Sequence, residues 1–506
     1  MKRFTLVFLS VLLIVCAAVS LSAAGKRIIP STDRLPLGDW SYDAMISLAS
    51  DGLIPGYAAR LFQGDRLFNR MEMASVVALI TKTSESRTLS AAQTTLIDDL
   101  IQEFTPELLD QDAEFIGRWK DRSANINSPT GGDVLGTGYV KGLGIARSHE
   151  DNEFEAPFRL SGFAKLTRRA FAMATIAQKE EKFYHELRHS PTPDKAFVKG
   201  FSGNFVWSLG REYLNWGPSY TGSLILSDNS PPFLQARGVR EVDLGWFIGR
   251  IKITGFGSGF KEGGKQLYLF GRRYEKPISK RWHLGITETV KTNRTPNPAI
   301  LVLPFFLYQH IFGGPGSEND RDFNTVYSAD LLYQTKSGAQ LYGEYLVDDM
   351  TQPRIFGKPR YARPDKRGYT LGFYAPQVLP GERLSTFRAE YIQVNRQTFE
   401  ATRPKDHPEL DYKHGGAYIG SAIGPNAKAI YLRGEQYLSD KWSLIGEYLD
   451  QRQKDPGEPL RPRERSVSLL ASYDITPNKS VGLRISSFRE SGQSGTVYEL
   501  RASCAL

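Results

Sequence analysis

A chain of 506 residues with a formal charge of +9 leaves room for several ordinary domains or for one very large sheet. The basic excess falls to +7 once Lys2 and Arg3 of a leader are set aside. It is not gathered into a tract with interleaved aromatics, which argues against a nucleic-acid partner, and it fits acidic polysaccharide or lipopolysaccharide phosphate. With Cys16 in the leader, Cys504 stands alone in the mature chain, which excludes an internal disulfide and a cysteine-based metal site.

Met1 to Ala24 reads as a secretory signal peptide: Lys2 and Arg3 start it, Phe4 to Val19 form its apolar core, and Ser22-Ala23-Ala24 its cleavage site. Beyond it no apolar stretch reaches the ~18 residues of a spanning helix. The nearest, Ala299 to Phe312, is too short and carries Pro304, Gln309 and His310, so it reads as a loop or core segment. A secreted chain of this kind, rich in alternating strands, is either a large soluble β protein or an outer-membrane barrel.

Residues 25–133 read as a helical periplasmic or plug segment. The spacing predicts helices over Tyr42 to Ser50, stopped by Gly52, over Arg70 to Thr81, capped by Asn69, and over Leu89 to Leu109, with Pro106 near its end. Asp121 to Asp133, rich in Ser, Asn, Pro and Gly, is a linker or periplasmic turn that marks the domain boundary. Residues 40–80 resemble an S-layer homology module through Trp40, Leu48, Gly52, Ile54-Pro55-Gly56-Tyr57, Phe62, Gly64 and Asn69-Arg70-Met71-Glu72-Met73-Ala74. That resemblance implies binding of peptidoglycan or another wall polymer, with Trp40, Arg70 and Glu72 as the residues that carry over. Such modules usually come in threes and this chain has one, so a plain helical plug or periplasmic cap stands beside that reading.

From Val134 to Leu506 the text is strands and turns. Phe201, Gly203, Phe205, Trp207 and Leu209 form one row of an extended segment, with Ser202, Asn204, Ser208 and Gly210 on the other. Val242, Leu244, Trp246 and Ile248 alternate too, as do Val481, Leu483 and Ile485. Polar stretches at Gly314 to Asp322, Gln352 to Arg367 and Thr402 to His414 read as surface loops. An echo recurs at Gly343-Glu344-Tyr345-Leu346, Ala389-Glu390-Tyr391-Ile392 and Gly446-Glu447-Tyr448-Leu449, with a looser copy at Gly434-Glu435-Gln436-Tyr437. In a barrel each Glu of the three closer copies would face the lumen, beside Arg388, Arg433, Arg484 and Arg501, and each Tyr the lipid near an interface. Roughly 375 residues at about 20 per strand give about 18 antiparallel strands. The expected fold is therefore mainly β: a large transmembrane barrel over 134–506 with a small α-helical domain before it.

No catalytic constellation stands out, and no cofactor is implied. His185, His189, His283, His310 and His414 lack metal-ligand spacing, Asp348-Asp349 reads as a strand terminus before a paired-carboxylate site, and Gly255-Phe256-Gly257-Ser258-Gly259 lacks the setting of a phosphate loop. The stretch from Phe201 to Phe233 is richer. Flat rings cover the C–H faces of sugars and planar polar groups bridge their hydroxyls. Arg211, Tyr213, Trp216, Tyr220, Asp228 and Asn229 supply both kinds on what reads as a surface loop. An interfacial aromatic girdle accounts for the rings equally well.

Gly210-Arg211-Glu212-Tyr213-Leu214-Asn215-Trp216-Gly217-Pro218, then Gly222 to Asn229 and Pro232-Phe233, resemble the capsule assembly protein Wzi family. Later echoes are Gly271-Arg272-Arg273, Gly285 to Thr289, Gly343 to Asp349 and His414-Gly415-Gly416. The resemblance covers most of Val134 to Leu506. It implies an outer-membrane barrel of eighteen strands with a helical bundle on its periplasmic side. It also implies a non-enzymatic, lectin-like role in holding capsular or exopolysaccharide at the cell surface. A wall-tethered diffusion channel, porin-like, is the alternative, and a soluble glycan hydrolase using Asp348 or Asp349 is a third.

Overall fold

The structure, a computed structural model, describes residues 27–36, 38–63, 66–111, 138–148, 154–155, 158–167, 169–178, 191–246, 248–301, 305, 322–348, 366–380, 384–401, 407–453, 464–490 and 493–505. The leader, the expected linker and domain boundary, Asp349, His185, His189, His310 and most of the three expected polar surface loops lie outside them.

Among the described residues three α-helices come first: α1 (Trp40–Ser50), α2 (Arg70–Ser84) and α3 (Ala91–Gln111). Asp39 caps α1 by accepting the Ser41 amide at 2.9 Å. Asn69 and Glu72 form a reciprocal capping box on α2. These ends agree with the periodicity to within three residues.

The strands are β1 (Gly138–Ser148), β2 (Phe158–Thr167), β3 (Ala170–Gln178), β4 (Pro191–Ser202), β5 (Phe205–Glu212) and β6 (Phe233–Asp243). Next come β7 (Arg250–Glu262), β8 (Lys265–Pro277), β9 (Trp282–Thr292), β10 (Phe323–Gln334), β11 (Gln340–Asp348) and β12 (Arg367–Ala375). The last six are β13 (Ser385–Val394), β14 (Ala427–Tyr437), β15 (Trp442–Gln453), β16 (Glu464–Thr476), β17 (Lys479–Glu490) and β18 (Gln493–Ala505). Among the described residues the sheet has nineteen strands, one of them the two-residue piece Phe154–Glu155 on the end of β1. The other eighteen pair antiparallel in chain order, and β1 also pairs with β18, placing Leu143 opposite Ala505.

The extended segment expected from Phe201 to Leu209 is in fact the tip of a hairpin. Gly203, with φ +60°, and Asn204 make a two-residue turn that sets Ser202 opposite Phe205. The apolar row therefore splits. Phe201 packs inward against the helical core, while Phe205, Trp207 and Leu209 lie on the outward row of β5.

The outward rows are greasy. Leu341 and Tyr345 of β11, Leu371 and Phe373 of β12, and Val481, Leu483 and Ile485 of β17 are all exposed. Trp282 against Tyr333, with centroids 4.7 Å apart, and Trp442 against Tyr473, at 4.9 Å, mark an aromatic girdle. That girdle lies at the end with short turns such as 203–204, 438–441 and 477–478; from the opposite end leave the long connections between β5 and β6, β9 and β10, and β13 and β14. Short turns face the periplasm and long loops the exterior.

The helices close the short-turn mouth. Their core continues into Phe163, Phe171, Phe197, Phe201, Val206 and Tyr437 of the barrel. Ion pairs tie the helical region to the inner wall: Asp43 to Lys195 at 2.5 Å, Arg60 to Asp474 at 2.7 Å, Glu72 to Arg388 at 2.9 Å and Glu103 to Lys199 at 2.5 Å. A strap over 27–36 threads above them. Glu241 accepts the amides of Ile28 and Ile29 at 2.6 and 2.8 Å, Glu107 accepts the Ser31 amide at 2.9 Å, and Asp33 pairs with Arg273 at 2.8 Å.

The described part of the apolar stretch after Pro298 lies on the outside of the wall. Arg273 faces Asp33 within, so its neighbour Arg272 faces out. There Arg272 pairs with Glu288 at 3.4 Å and stacks over the Phe305 ring at 4.4 Å, while Glu288 accepts the Phe305 amide at 3.0 Å.

Two outcomes follow from this packing. Leu483→Arg, midway along an outward row, is expected to cost the barrel ~2–4 kcal/mol, read as a lower urea midpoint in vesicles. Burial pushes the Asp99 carboxyl of α3 up to about 6, with Lys165 drawing it back. Its folded value lies above the unfolded ~3.9, so its contribution is present at low pH and lost as pH rises through about 6. Hydrogen exchange within α3, corrected for intrinsic rate, is expected to be slower at about pH 5 than at about pH 7.5. The difference shrinks in Asp99→Asn, even though that variant is less stable throughout.

Candidate functional site

The segment 213–232 leaves β5 and returns to β6, and it turns into the lumen instead of lying on the surface. Trp216 is 3% exposed, Tyr220 6%, and Leu224, Ile225 and Leu226 are fully buried. Its apolar half seeks the inward side chains Phe256, Leu269, Val326, Leu346 and Ile392, with Trp216 edge-on to Phe256 at 5.2 Å. Its polar half meets two carboxylates. Glu344 accepts the amides of Ser219 and Leu224 at 3.2 and 2.8 Å, and the Ser223 hydroxyl at 3.1 Å. Glu390 accepts the amides of Tyr220 and Thr221 at 2.5 and 3.0 Å, and the hydroxyls of Thr221 and Tyr342 at 2.7 and 2.6 Å. Gly217 makes this approach possible: its φ is +141°, and a Cβ there would sit 2.2 Å from a Glu344 oxygen.

The Glu residues of the repeated echo thus face the lumen, and Tyr345 faces out. Their partners differ from the expected arginine ladder in part. Glu447 does pair with Arg433 at 2.7 Å and Arg484 at 3.8 Å, and Glu499 with Arg501 at 2.6 Å. Glu344 and Glu390 instead bind backbone amides, and Arg388 reaches Glu72 of the helical region and lies 4.3 Å from the Tyr220 ring.

The six loop residues singled out by sugar chemistry fall in different places. Trp216 and Tyr220 are interior. Asp228 pairs with Arg34 of the strap, and Asn229 donates to the Tyr418 carbonyl at 2.9 Å. The Tyr213 hydroxyl donates to Asp194 at 2.6 Å. Arg211 lies on the outward row of β5, away from the rest. Beneath the loop is a cavity of about 70 Å³, lined by Asn215, Trp216, Arg34, Asp33 and Lys252 among others.

Residues 395–401 and 407–426 lie over this loop. The Ser227 amide donates to the Ile419 carbonyl at 2.9 Å, the Ser227 hydroxyl to that of Gly420 at 2.6 Å, and the Ser421 amide to Leu224 at 3.2 Å. The outer surface so formed was not legible as a site beyond the His414-Gly415-Gly416 echo. His414 stacks on Phe233 at 4.7 Å and meets Phe260 at 4.5 Å. The Lys413 ammonium lies 4.7 Å from the half-exposed Tyr418 ring. Lys291 fixes the backbone below by donating to the carbonyls of Asp411 and Lys413, both at 2.7 Å. Burial alone would raise the Glu409 carboxyl, but its own backbone amide and then Lys265, His407 and Asn293 hold it at about 2. Asp348 accepts the Phe399 amide at 2.7 Å, as a strand terminus holding a loop.

The three residues matched to the S-layer module point inward. Trp40 is 1% exposed against Phe171, Arg70 pairs with Glu103 and Glu107 at 2.7 Å each, and Glu72 is held by Asn69 and Arg388.

A model of the family described as capsule assembly protein Wzi matches residues 147–490. No curated protein matches the sequence. Among solved structures the chain is similar to Wzi of Escherichia coli, described as an outer-membrane protein involved in group 1 capsule assembly and a carbohydrate-binding β-barrel. The identity is 11% and the TM-score 0.56, over 95% of this chain and 99% of that one. It is also similar to Pseudomonas aeruginosa OccK3 (12% identity, TM-score 0.43, 74% of this chain and 97% of that one) and OprD (12%, 0.40, 74% and 97%).

Replacing both Glu344 and Glu390 by Ala is expected to release the inner loop, since hydrogen bonds to a charged acceptor contribute ~1.5–3 kcal/mol each. The amides of Ser219, Tyr220, Thr221 and Leu224 are expected to exchange at least about tenfold faster, and ion conductance in planar bilayers to rise above that of the unaltered chain.

Proposed function

This chain belongs to the capsule assembly protein Wzi family, an outer-membrane β-barrel family, and from that premise we propose that it is a non-enzymatic, lectin-like barrel that binds capsular or exopolysaccharide and anchors it at the cell surface. The observation that carries the reading is the filled lumen. The helical region closes the periplasmic mouth, the strap lies above it, and the loop 213–232 with its cover 395–401 and 407–426 occupies the space toward the exterior. A diffusion channel needs a continuous water path, and this packing favours a binding surface over a pore. Wall-polymer binding gains no support from Trp40, Arg70 and Glu72, whose side chains are taken up inside the protein.

The sugar-facing surface in this reading is the outer face of the cover, where the Tyr418 ring, the Lys413 ammonium, the His414 imidazole and the Asn229 amide lie together. A half-exposed ring stacks on a sugar face while amide and ammonium donors reach hydroxyls or carboxylates. Trp216, Tyr220 and Asp228 act beneath it as the support that fixes its shape.

Tyr418→Ala is expected to weaken binding of the purified chain to isolated capsular or exopolysaccharide by about tenfold, ~1.4 kcal/mol, with heat-modifiable gel mobility unchanged. Asn229→Ala would give a smaller loss. Unchanged affinity in both variants would remove this face from the site.

A further inference from the structure

The outward rows of β12 and of β14 to β17 end, toward the exterior, in a series of basic side chains. Arg367, Lys428, Arg452 and Arg489 are exposed, and the Arg465 side chain is 44% exposed. Lys428 lies directly opposite Arg452, and Arg465 directly opposite Arg489. Among the described residues of these rows one acid accompanies them, Asp450, 3.5 Å from Arg465. At the same end of β9, β10 and β11 the outward residues are Thr292, Phe323 and Val347, so the basic series stops at β12 on that side.

Strand geometry fixes the height of this flank. Along β15 the outward row runs from Trp442 of the girdle to Arg452. At ~3.3 Å per residue and a tilt of ~40° that is about 25 Å along the axis. Along β16 the run from Tyr473 to Arg465 gives about 20 Å. The apolar band of an outer-membrane barrel is itself about 25 Å tall, so these cations stand where hydrocarbon ends and headgroups begin. Each shares its row with lipid-facing side chains: Arg367 with Tyr369 and Leu371, Arg465 with Val467 and Leu469, Arg489 with Ile485 and Leu483.

We propose that the β12–β17 flank is a binding site for phosphorylated lipid headgroups of the outer leaflet, with Lys428, Arg452 and Arg489 as its principal contacts. Guanidinium groups bind phosphate bidentately, and neighbouring strands ~4.8 Å apart set successive cations at a spacing that lets one headgroup bridge two of them. The site faces sideways along the membrane, in rows continuous with acyl-chain contacts. That orientation selects a lipid over a soluble anionic polymer, which would arrive over the long loops.

The test uses the full chain in detergent micelles, with bis-phosphorylated lipid A and its dephosphorylated form as probes. A triple variant, K428Q, R452Q and R489Q, is expected to bind bis-phosphorylated lipid A at least about tenfold more weakly than the unaltered chain. The charge-conserving set K428R, R452K and R489K keeps all three charges but loses two bidentate forks, and is expected to bind between the unaltered chain and the triple Gln variant. Dephosphorylated lipid A should bind weakly to all three, and raising salt from about 0.1 to 0.5 M should erase most of the difference. The proposal is overturned if the unaltered chain binds both lipids equally, if its lipid A affinity ignores salt, or if the triple variant keeps lipid A. It is equally overturned if the triple variant loses alginate, a soluble acidic polysaccharide, in place of lipid A. Gel mobility on heating checks the fold of each variant, and the salt series on the unaltered chain decides the matter even if the triple variant fails to fold.

Discussion

A ring of eighteen strands encloses more space than its own inward side chains fill, and every polar group placed in that space must find water or protein. Here it finds protein. Glu344 and Glu390 stand on the inner wall, and the backbone amides of 219, 220, 221 and 224 are presented to them. Wall and loop depend on each other, since removing either leaves buried polar groups without partners, at a cost of ~1–3 kcal/mol apiece or more where a charge is stranded. The loop is held from below as well: the Arg34 amide donates to the Gly217 carbonyl at 2.9 Å, and the Arg34 side chain reaches Asn215 and Asp228. Helical region, strap, loop and cover thus form one connected column through the barrel.

The capping box at Asn69, the alternation of Val481, Leu483 and Ile485, and the glutamates of the repeated echo were all legible in the sequence, because each is a local pattern with a fixed period. The fate of 213–232 was not. Trp216, Tyr220, Asp228 and Asn229 have the composition of a sugar-binding surface, and they have it because a loop buried in a polar lumen needs the same residue types: rings to pack and planar groups to hydrogen-bond. What decides between the two is a partner such as Glu344, more than a hundred residues away, and no local period encodes that. The hairpin at Gly203 was missed for a related reason. A two-residue turn preserves the alternation of its flanks while exchanging which face is which.

The helical region shows the same ambiguity. Residues 40–80 match the S-layer pattern where Trp40, Arg70 and Glu72 stand, yet all three build the packing of this domain and its junction with the barrel. A helix–turn–helix of this length needs a buried aromatic and a capping acid whether or not it binds a polymer. The pattern therefore records how such a module folds at least as much as what it touches.

Charge on the outside of the wall obeys a single rule with two solutions. Arg272 and Glu288 lie partway up the outward rows of β8 and β9, where lipid would solvate neither. They are tolerated because the chain itself returns to cover them. Phe305 supplies a ring face to the guanidinium and an amide to the carboxylate, and the Ile300 carbonyl takes another guanidinium N–H. Ile300 and Phe305 thus serve as a patch of protein surface between a polar pair and the membrane. Higher up, on β14 to β17, Lys428, Arg452 and Arg489 are exposed and need no such cover, because at that height the solvent changes from hydrocarbon to headgroup and water. Depth alone separates the charge that the fold must hide from the charge that it can display.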